Sequence, residues 1–378
     1  MAGKAPLIRT FKFRIRPNKA QTEALGAMLG DCCALYNACL EQRIDAYRRR
    51  GMSLRYGNQA AELKAVREAD PDLARWSFTA LQQVLRRVEK TYAAFFQRGR
   101  GFPRFRSRSR FDSVDMRVGD GLTIRKTRRL TAVGVPGQIK VVWHREMPPG
   151  AKLGHAILTR RAGKWFVCFQ AEFAAEVAAH AGPAVGIDLG LNSLIATSEG
   201  ETIQAPRFAR KAAASLRRHQ RALARCKRAS NRRRKAKIRL AAASAKVANQ
   251  RRDFAHKLSR SLVDRFSLIA FENLNLTGLK RGMLARSVHD AAWSQLVNFT
   301  VYKAEGAGCT VALVDPRGTS QICPDCGATR AKRLSERRHT CNCGCNLDRD
   351  VAAAKIVLQR ATQRPGTGLR STSQRNTA

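Results

Sequence analysis

The chain is 378 residues long and carries 71 Lys+Arg against 28 Asp+Glu, a formal net charge of +43. So large and widespread an excess excludes an ordinary metabolic enzyme and points to a polyphosphate partner. No apolar run approaches a membrane-spanning length and the N-terminus lacks a signal-peptide core, so one to three domains in a reducing cytoplasm are expected, with no membrane partner.

In chain order, Leu7–Arg16 alternates apolar and basic residues and predicts a strand with one face toward phosphate or solvent, ended by Pro17. Asn18 and Gln21 have the spacing of a helix-opening cap, and Leu25, Met28, Leu29, Cys32, Leu35, Tyr36, Cys39 and Leu40 then recur as a helical core stripe. A second helix sets Leu81, Val84, Leu85, Val88, Tyr92, Phe95 and Phe96 on one face and Arg86, Arg87 and Lys90 on the other. Residues 98–111, RGRGFPRFRSRSRF, interleave Arg98, Arg100, Arg104 and Arg106 with Phe102, Phe105 and Phe111. Guanidinium forks suit phosphates and aromatic faces stack on bases, so these residues are candidate nucleic-acid contacts.

The pattern next shortens to alternating strands over residues 122–126, 139–143, 156–161 and 165–171, with turns at Gly137-Gln138 and Ala162-Gly163. This predicts a small β-domain, which Leu7–Arg16 can join if the intervening helices are an insertion. Residues 184–200, AVGIDLGLNSLIATSEG, predict a buried strand carrying Asp188, a turn at Gly190 and Asn192, and a second strand over 194–197. Residues 210–260 have Asp253 as their only acid and predict one or two long helices with a basic face along nucleic acid, Arg232, Arg233 and Arg234 being candidate contacts. Another buried strand, 267–271, ends at Glu272; an amphipathic helix through Trp293, Leu296, Val297, Val301 and Ala304 and a strand over 310–314 follow. Asp350 opens a final helix, DVAAAKIVLQRA, and the tail over 363–378 is polar and expected to be disordered.

Two constellations carry chemistry. Cys323, Cys326, Cys341 and Cys343 form a C-x2-C-x14-C-x-C array close to the spacing of a zinc ribbon, with Cys345 competing with Cys343 for the fourth place. Four thiolates close a tetrahedral Zn²⁺ site, and the metal supplies folding energy that such short loops cannot. Cys32, Cys33, Cys39, Cys168, Cys226 and Cys309 read as small core residues. The second constellation is Asp188, Glu272 and Asp350, acids in matching contexts at the ends of buried-looking segments. Brought together they would hold Mg²⁺ or Mn²⁺, and two such ions about 3.5 to 4 Å apart stabilise the attacking and leaving oxygens of a phosphodiester.

The segments GIDLGLNSLIA, IAFENLNLTGLK, TSQICPDCG and CNCGCNLDRDVAAAKIV resemble the three RuvC motifs and zinc insertion of TnpB proteins, transposon-encoded RNA-guided nucleases. FKFRIRPNKAQTEAL, LYNACLE, SFTALQQVLRRVEKTYAAFF and GFPRFRSRSRFDS resemble that family's amino-terminal motifs, so the likeness covers nearly the whole chain. It implies an α/β multidomain protein: residues 1–16 and 110–180 a wedge-like β-barrel, 17–109 an inserted helical recognition domain, 181–315 and 347–362 an RNase H-like RuvC nuclease domain, and 316–346 a zinc-ribbon insertion that binds target nucleic acid. It further implies a monomer with a guide RNA from the transposon end, cutting matched double-stranded DNA beside a short adjacent motif, in a bacterial or archaeal cytoplasm near the nucleoid. Asp188, Glu272 and Asp350 match the catalytic acids; Asp348 lies in the same Asp-Arg-Asp, but the second acid is the one such motifs assign to metal. The chain departs from the family at Ala352, where asparagine is common, and in the extra Cys345.

A compact type V CRISPR effector shares these motifs, a guided repressor would bind without cutting, and a DNA-rejoining transposase is a third reading. The retained acids argue against pure binding, and among five tyrosines no nucleophile motif stands out. The charge itself sets an expectation: affinity for nucleic acid should fall steeply between about 50 and 200 mM salt, as many phosphate contacts release counterions. A filter-binding titration at both concentrations checks it, and a flat affinity would contradict a phosphate-dominated interface.

Overall fold

The computed structural model describes residues 6–174, 179–274, 291–333 and 336–363. The expected disordered tail over 364–378 and the end of the IAFENLNLTGLK motif lie outside them. The chain forms two compact units that divide between residues 175 and 176.

In the first unit β1 (Leu7–Arg16) buries Phe11, Phe13 and Ile15 while Arg14 and Arg16 stay exposed, as its alternation requires. Four helices follow: α1 (Lys19–Arg50), α2 (Tyr56–Ala69), α3 (Pro71–Ala74) and α4 (Phe78–Arg98). A reciprocal capping box opens α1, Gln21 N–H donating to Asn18 Oδ1 at 2.9 Å and Asn18 N–H to Gln21 Oε1 at 3.1 Å. Helix α2 has no apolar stripe to betray it in the sequence. It is pinned by polar contacts: Gln59 accepts from buried Arg43 at 2.9 Å and donates to Cys39 O at 2.8 Å.

Six strands complete the unit: β2 (Ser113–Arg117), β3 (Leu122–Ile124), β4 (Leu130–Ala132), β5 (Lys140–Val142), β6 (Lys152–Arg161) and β7 (Lys164–Phe173). The sheet runs β2-β6-β7-β1-β5, antiparallel throughout, so β1 pairs with β5 and β7, strands beyond the helices and more than a hundred residues later in the chain. At the β6–β7 turn Ala162 and Gly163 both take positive φ, 49° and 75°, the geometry a two-residue hairpin needs. Among the described residues the ladder stays open at β2 and β5, with β3 and β4 forming a separate hairpin. One apolar core joins this sheet to the stripes of α1 and α4. Phe111 belongs to that core, fully buried beneath Arg87 and 6.2 Å from Tyr36, and is no stacking surface.

The second unit is built on a mixed sheet, β10-β9-β8-β11-β12. Its strands are β8 (Ala184–Leu189), β9 (Ser193–Thr197), β10 (Thr202–Gln204), β11 (Leu268–Glu272) and β12 (Thr310–Val314). Strands β8, β11 and β12 are parallel, and β8, β9 and β10 form an antiparallel meander. Between β10 and β11 run α5 (Phe208–Ala224) and α6 (Asn231–Arg265); α7 (Trp293–Ala304) links β11 to β12. Helix α5 buries no residue, and α6 buries residues only from Val247 onward. The basic N-terminal half of α6 is therefore a projecting hairpin with α5. A short ribbon, β13 (Arg338–Thr340) with β14 (Asn346–Asp348), leads into α8 (Arg349–Thr362).

Candidate metal centres

The parallel register pairs Ile187 with Phe271, so Asp188 and Glu272 follow at one level on neighbouring strands and point to the same face. Gly186, two residues before Asp188, faces that side too, and helix α8 crosses there. A Cβ at Gly186 would lie 2.0 Å from Ala354 O and 2.7 Å from Leu358 N, so the absence of a side chain admits the helix. Ala352, Ala353 and Ala354, each at most 2% exposed, are the small residues of the helix at this approach. Ala352 is thus a buried packing residue in this chain. Asp350 sits in the first turn of α8, and a Cβ on Gly190, in the loop beyond β8, would be 3.8 Å from Asp350 Oδ2. Asp348 instead caps the helix, its Oδ1 accepting from the N–H groups of Asp350 at 2.9 Å and Val351 at 3.4 Å.

Convergence shows in the protonation behaviour. Burial, then the charges of Glu272 and Asp350, push Asp188 up to about 8 against the opposing Leu189 N–H and Arg349. Burial also raises Glu272, opposed by a hydrogen bond from Thr319 and by Arg360. Asp350 is raised by burial and by Asp348, against Arg337 and Arg349. Among the described residues no salt bridge reaches any of the three. The donor set is all carboxylate oxygen, which fits a hard divalent cation. Among the described residues, three ligand atoms within 4.8 Å of one another occur only in the cysteine groups, so the acids are spread more widely than a compact single-ion cage.

The Sγ atoms of Cys323, Cys326, Cys341 and Cys343 all lie within 4.8 Å of one another; Cys323 is 3.6 Å from Cys343 and Cys326 is 3.5 Å from Cys341. Burial works against ionisation of Cys323, yet the N–H groups of Cys326 and Asp325, with the His339 and Cys343 side chains, hold it down to about 5. A thiol whose ionisation is favoured, grouped with three further thiols, fits a soft, tetrahedral ion. Cys345 is buried behind this group, where it clusters with Cys323 and His339, whose Nε2 is buried without a hydrogen-bond partner. His339 gave no signal in the sequence because a lone histidine outside the C-x-C spacing reads as core.

The basic candidates divide. Arg98, Arg100, Arg104, Phe102 and Phe105 are exposed, and Phe102 meets Phe95 edge-on at 5.4 Å. Arg106 is exposed but lies over Tyr36, while its backbone is held by Asn37. Arg232 and Arg234 are open to solvent; Arg233 turns inward and donates to Leu223 O and Cys226 O, both at 3.1 Å, closing the end of α5. Missed in the sequence was a track on α5, where Arg217, Arg218, Arg221 and Arg225 line one concavity.

Three family profiles match the chain. One described as a probable transposase, OrfB of the IS605 type, spans residues 169–283; a TNB domain of the Cas12f1-like type spans 293–357; an OrfB helix-turn-helix domain spans 6–52, where the structure has β1 and one continuous helix. The chain is 33% identical over 370 residues to a Streptomyces pristinaespiralis protein named as a candidate RNA-guided DNA endonuclease, covering 96% of this chain and 92% of that one. It is 26% identical over 377 residues to InsQ of Escherichia coli K12, named in the same terms, covering 93% and 92%. In fold it is similar to the protein of the Cas12f1–sgRNA–target DNA complex, with a TM-score of 0.58 at 11% identity over 94% of this chain and 99% of that one.

The contact of α8 with β8 makes Gly186 a sensitive position. Gly186→Ala should lower stability by about 1–3 kcal/mol through overpacking against the α8 backbone. Urea unfolding checks this, and an unchanged midpoint would show that the helix gives way freely.

Proposed function

The chain belongs to the TnpB family of RNA-guided DNA endonucleases, and from that membership we propose that Asp188, Glu272 and Asp350 are its catalytic acids, holding Mg²⁺ or Mn²⁺. The observation that carries the proposal is the meeting of three carboxylates from distant segments, with no salt-bridged cation beside them among the described residues. Metal held there would stabilise negative charge on the attacking and leaving oxygens of a phosphodiester. The acids present hard oxygen donors from rigid strand ends and a helix start, so little reorganisation is needed as charge develops. Metal held there would also favour ionisation of Asp188, countering the burial and the neighbouring charges that raise it.

The second unit is read as a RuvC-type nuclease domain, and the first as a wedge-like β-domain with its helical recognition insertion. The guide RNA comes from the transposon end in this reading. Base pairing selects the DNA sequence, while the protein checks an adjacent motif and grips the backbone. Arg98, Arg100, Arg104, Phe102 and Phe105 in the first unit, and Arg232 and Arg234 in the second, remain the contact candidates. Zinc is assigned to Cys323, Cys326, Cys341 and Cys343; the four-sulfur grouping supports Cys343 over Cys345 as fourth ligand.

Purification with flanking genomic DNA should yield a copurifying RNA, and that complex should cut a plasmid carrying the matched target. Asp188→Ala, Glu272→Ala or Asp350→Ala should each reduce cutting by at least about a hundredfold while RNA copurification and target binding persist. Cutting by the Asp188→Ala complex at the wild-type rate would remove the acids from the mechanism. Cys323→Ser should eliminate bound zinc in native mass spectrometry and lower the melting temperature; full zinc retention would contradict the ribbon assignment.

A further inference from the structure

Between β12 and the ribbon, residues 315–322 bring one side chain to Glu272. Thr319 lies there, 4% exposed, with its hydroxyl 2.5 Å from Glu272 Oε1 and 3.1 Å from Pro316 O. A hydroxyl has one proton to donate, and the shorter contact is with the carboxylate. Helix α8 grips this segment on both sides of Thr319: Arg360 donates to Asp315 O at 2.6 Å and Gln359 to Pro324 O at 2.7 Å. Glu272 is thus tied through Thr319 to a segment fastened by the helix that begins at Asp350. The same segment runs directly into Cys323, while Ser320 O accepts from Lys332 of the ribbon at 2.9 Å.

We propose that Thr319 is a positioning residue for the acid site, donating its hydroxyl proton to Glu272 Oε1 so that one carboxylate oxygen is fixed and the other is presented to the divalent cation. A carboxylate on a strand end can rotate about its terminal torsions, and a single hydrogen bond to one oxygen selects the rotamer. A buried threonine that only packed would need no carboxylate partner, since Pro316 O alone satisfies its donor. The donor acts on the ligand and not on substrate, as outer hydrogen bonds to metal-binding carboxylates do. This rests on the reading of Asp188, Glu272 and Asp350 as the divalent-metal site.

The test is Mn²⁺ titration of the full-length protein–RNA complex by electron paramagnetic resonance, with the Asp188→Ala complex as the background for ions held by RNA. Zinc content is measured on the same samples. Thr319→Val, similar in shape but without the hydroxyl, should weaken the Asp188-dependent Mn²⁺ binding about tenfold with zinc unchanged. Thr319→Ser should stay within about twofold of wild type, since it restores the donor. Wild-type Mn²⁺ affinity in Thr319→Val, with Asp188→Ala still defective, overturns the role of Thr319 and leaves the acid site standing. An Asp188→Ala complex that binds Mn²⁺ as wild type does overturns the acid site and this proposal together. Equal weakening in Thr319→Val and Thr319→Ser would mark a packing effect and also overturn it.

Discussion

Mutual repulsion among Asp188, Glu272 and Asp350 is the constraint that shapes the second unit. Burial removes the water that would moderate such repulsion, and it is the first cause that raises Asp188, ahead of the charges of Glu272 and Asp350. The sheet and α8 must hold these groups together in spite of that. Neighbouring parallel strands fix two of them at one level, and a backbone approach that only glycine permits at position 186 brings the third. Under the proposed metal-binding role, a divalent cation held between these acids would relieve that repulsion.

The rest of the unit supports that arrangement from outside. Asp348 caps α8 and so sets where Asp350 begins the helix, while Arg360 and Gln359, a few turns later, hold the segment that contains Thr319. In the ribbon Cys326 and Cys343 are exposed while Cys323, Cys345 and His339 are buried. Elsewhere positive charge lies where little competes for it. Helix α5 buries nothing, and its arginines share an open concavity. The projecting half of α6 leaves Arg232 and Arg234 in solvent, while Arg233 is diverted to close α5.

Much of the fold was legible because local periodicity carried it. The strand expected at Leu7–Arg16 has those bounds, the Asn18–Gln21 cap is present, and the stripe of the first helix is buried; that of the fourth is buried at Leu81, Val84, Leu85 and Val88, whereas Tyr92 and Phe95 are half-buried and Phe96 is exposed, because the helix runs out past the core. Helix α2 escaped because polar contacts hold it; strands β2, β4 and β10, three to five residues long, also went unanticipated. Phe111 looked like a neighbour of Phe102 and Phe105 in a basic loop, yet only those two stay exposed. An interleaved sequence states which residues are near in the chain, not which way each turns.

The classes of chemistry available were already set in the linear chain: strong basicity, a cysteine array at metal spacing, and three acids at the ends of apolar segments. Residue type and short-range spacing are enough for that, since they set charge, ligand softness and local period. It took the folded arrangement to show that Asp188, Glu272 and Asp350 meet, that Asp348 is a cap, that Cys343 and not Cys345 completes the four-sulfur group, and that Thr319 reaches Glu272. The Asp348 cap is local, spanning two to three residues, but the others depend on strand register, on the close crossing of α8 at Gly186 or on the path of a loop. Most such contacts join residues dozens to more than a hundred positions apart, and no local pattern in the chain encodes them.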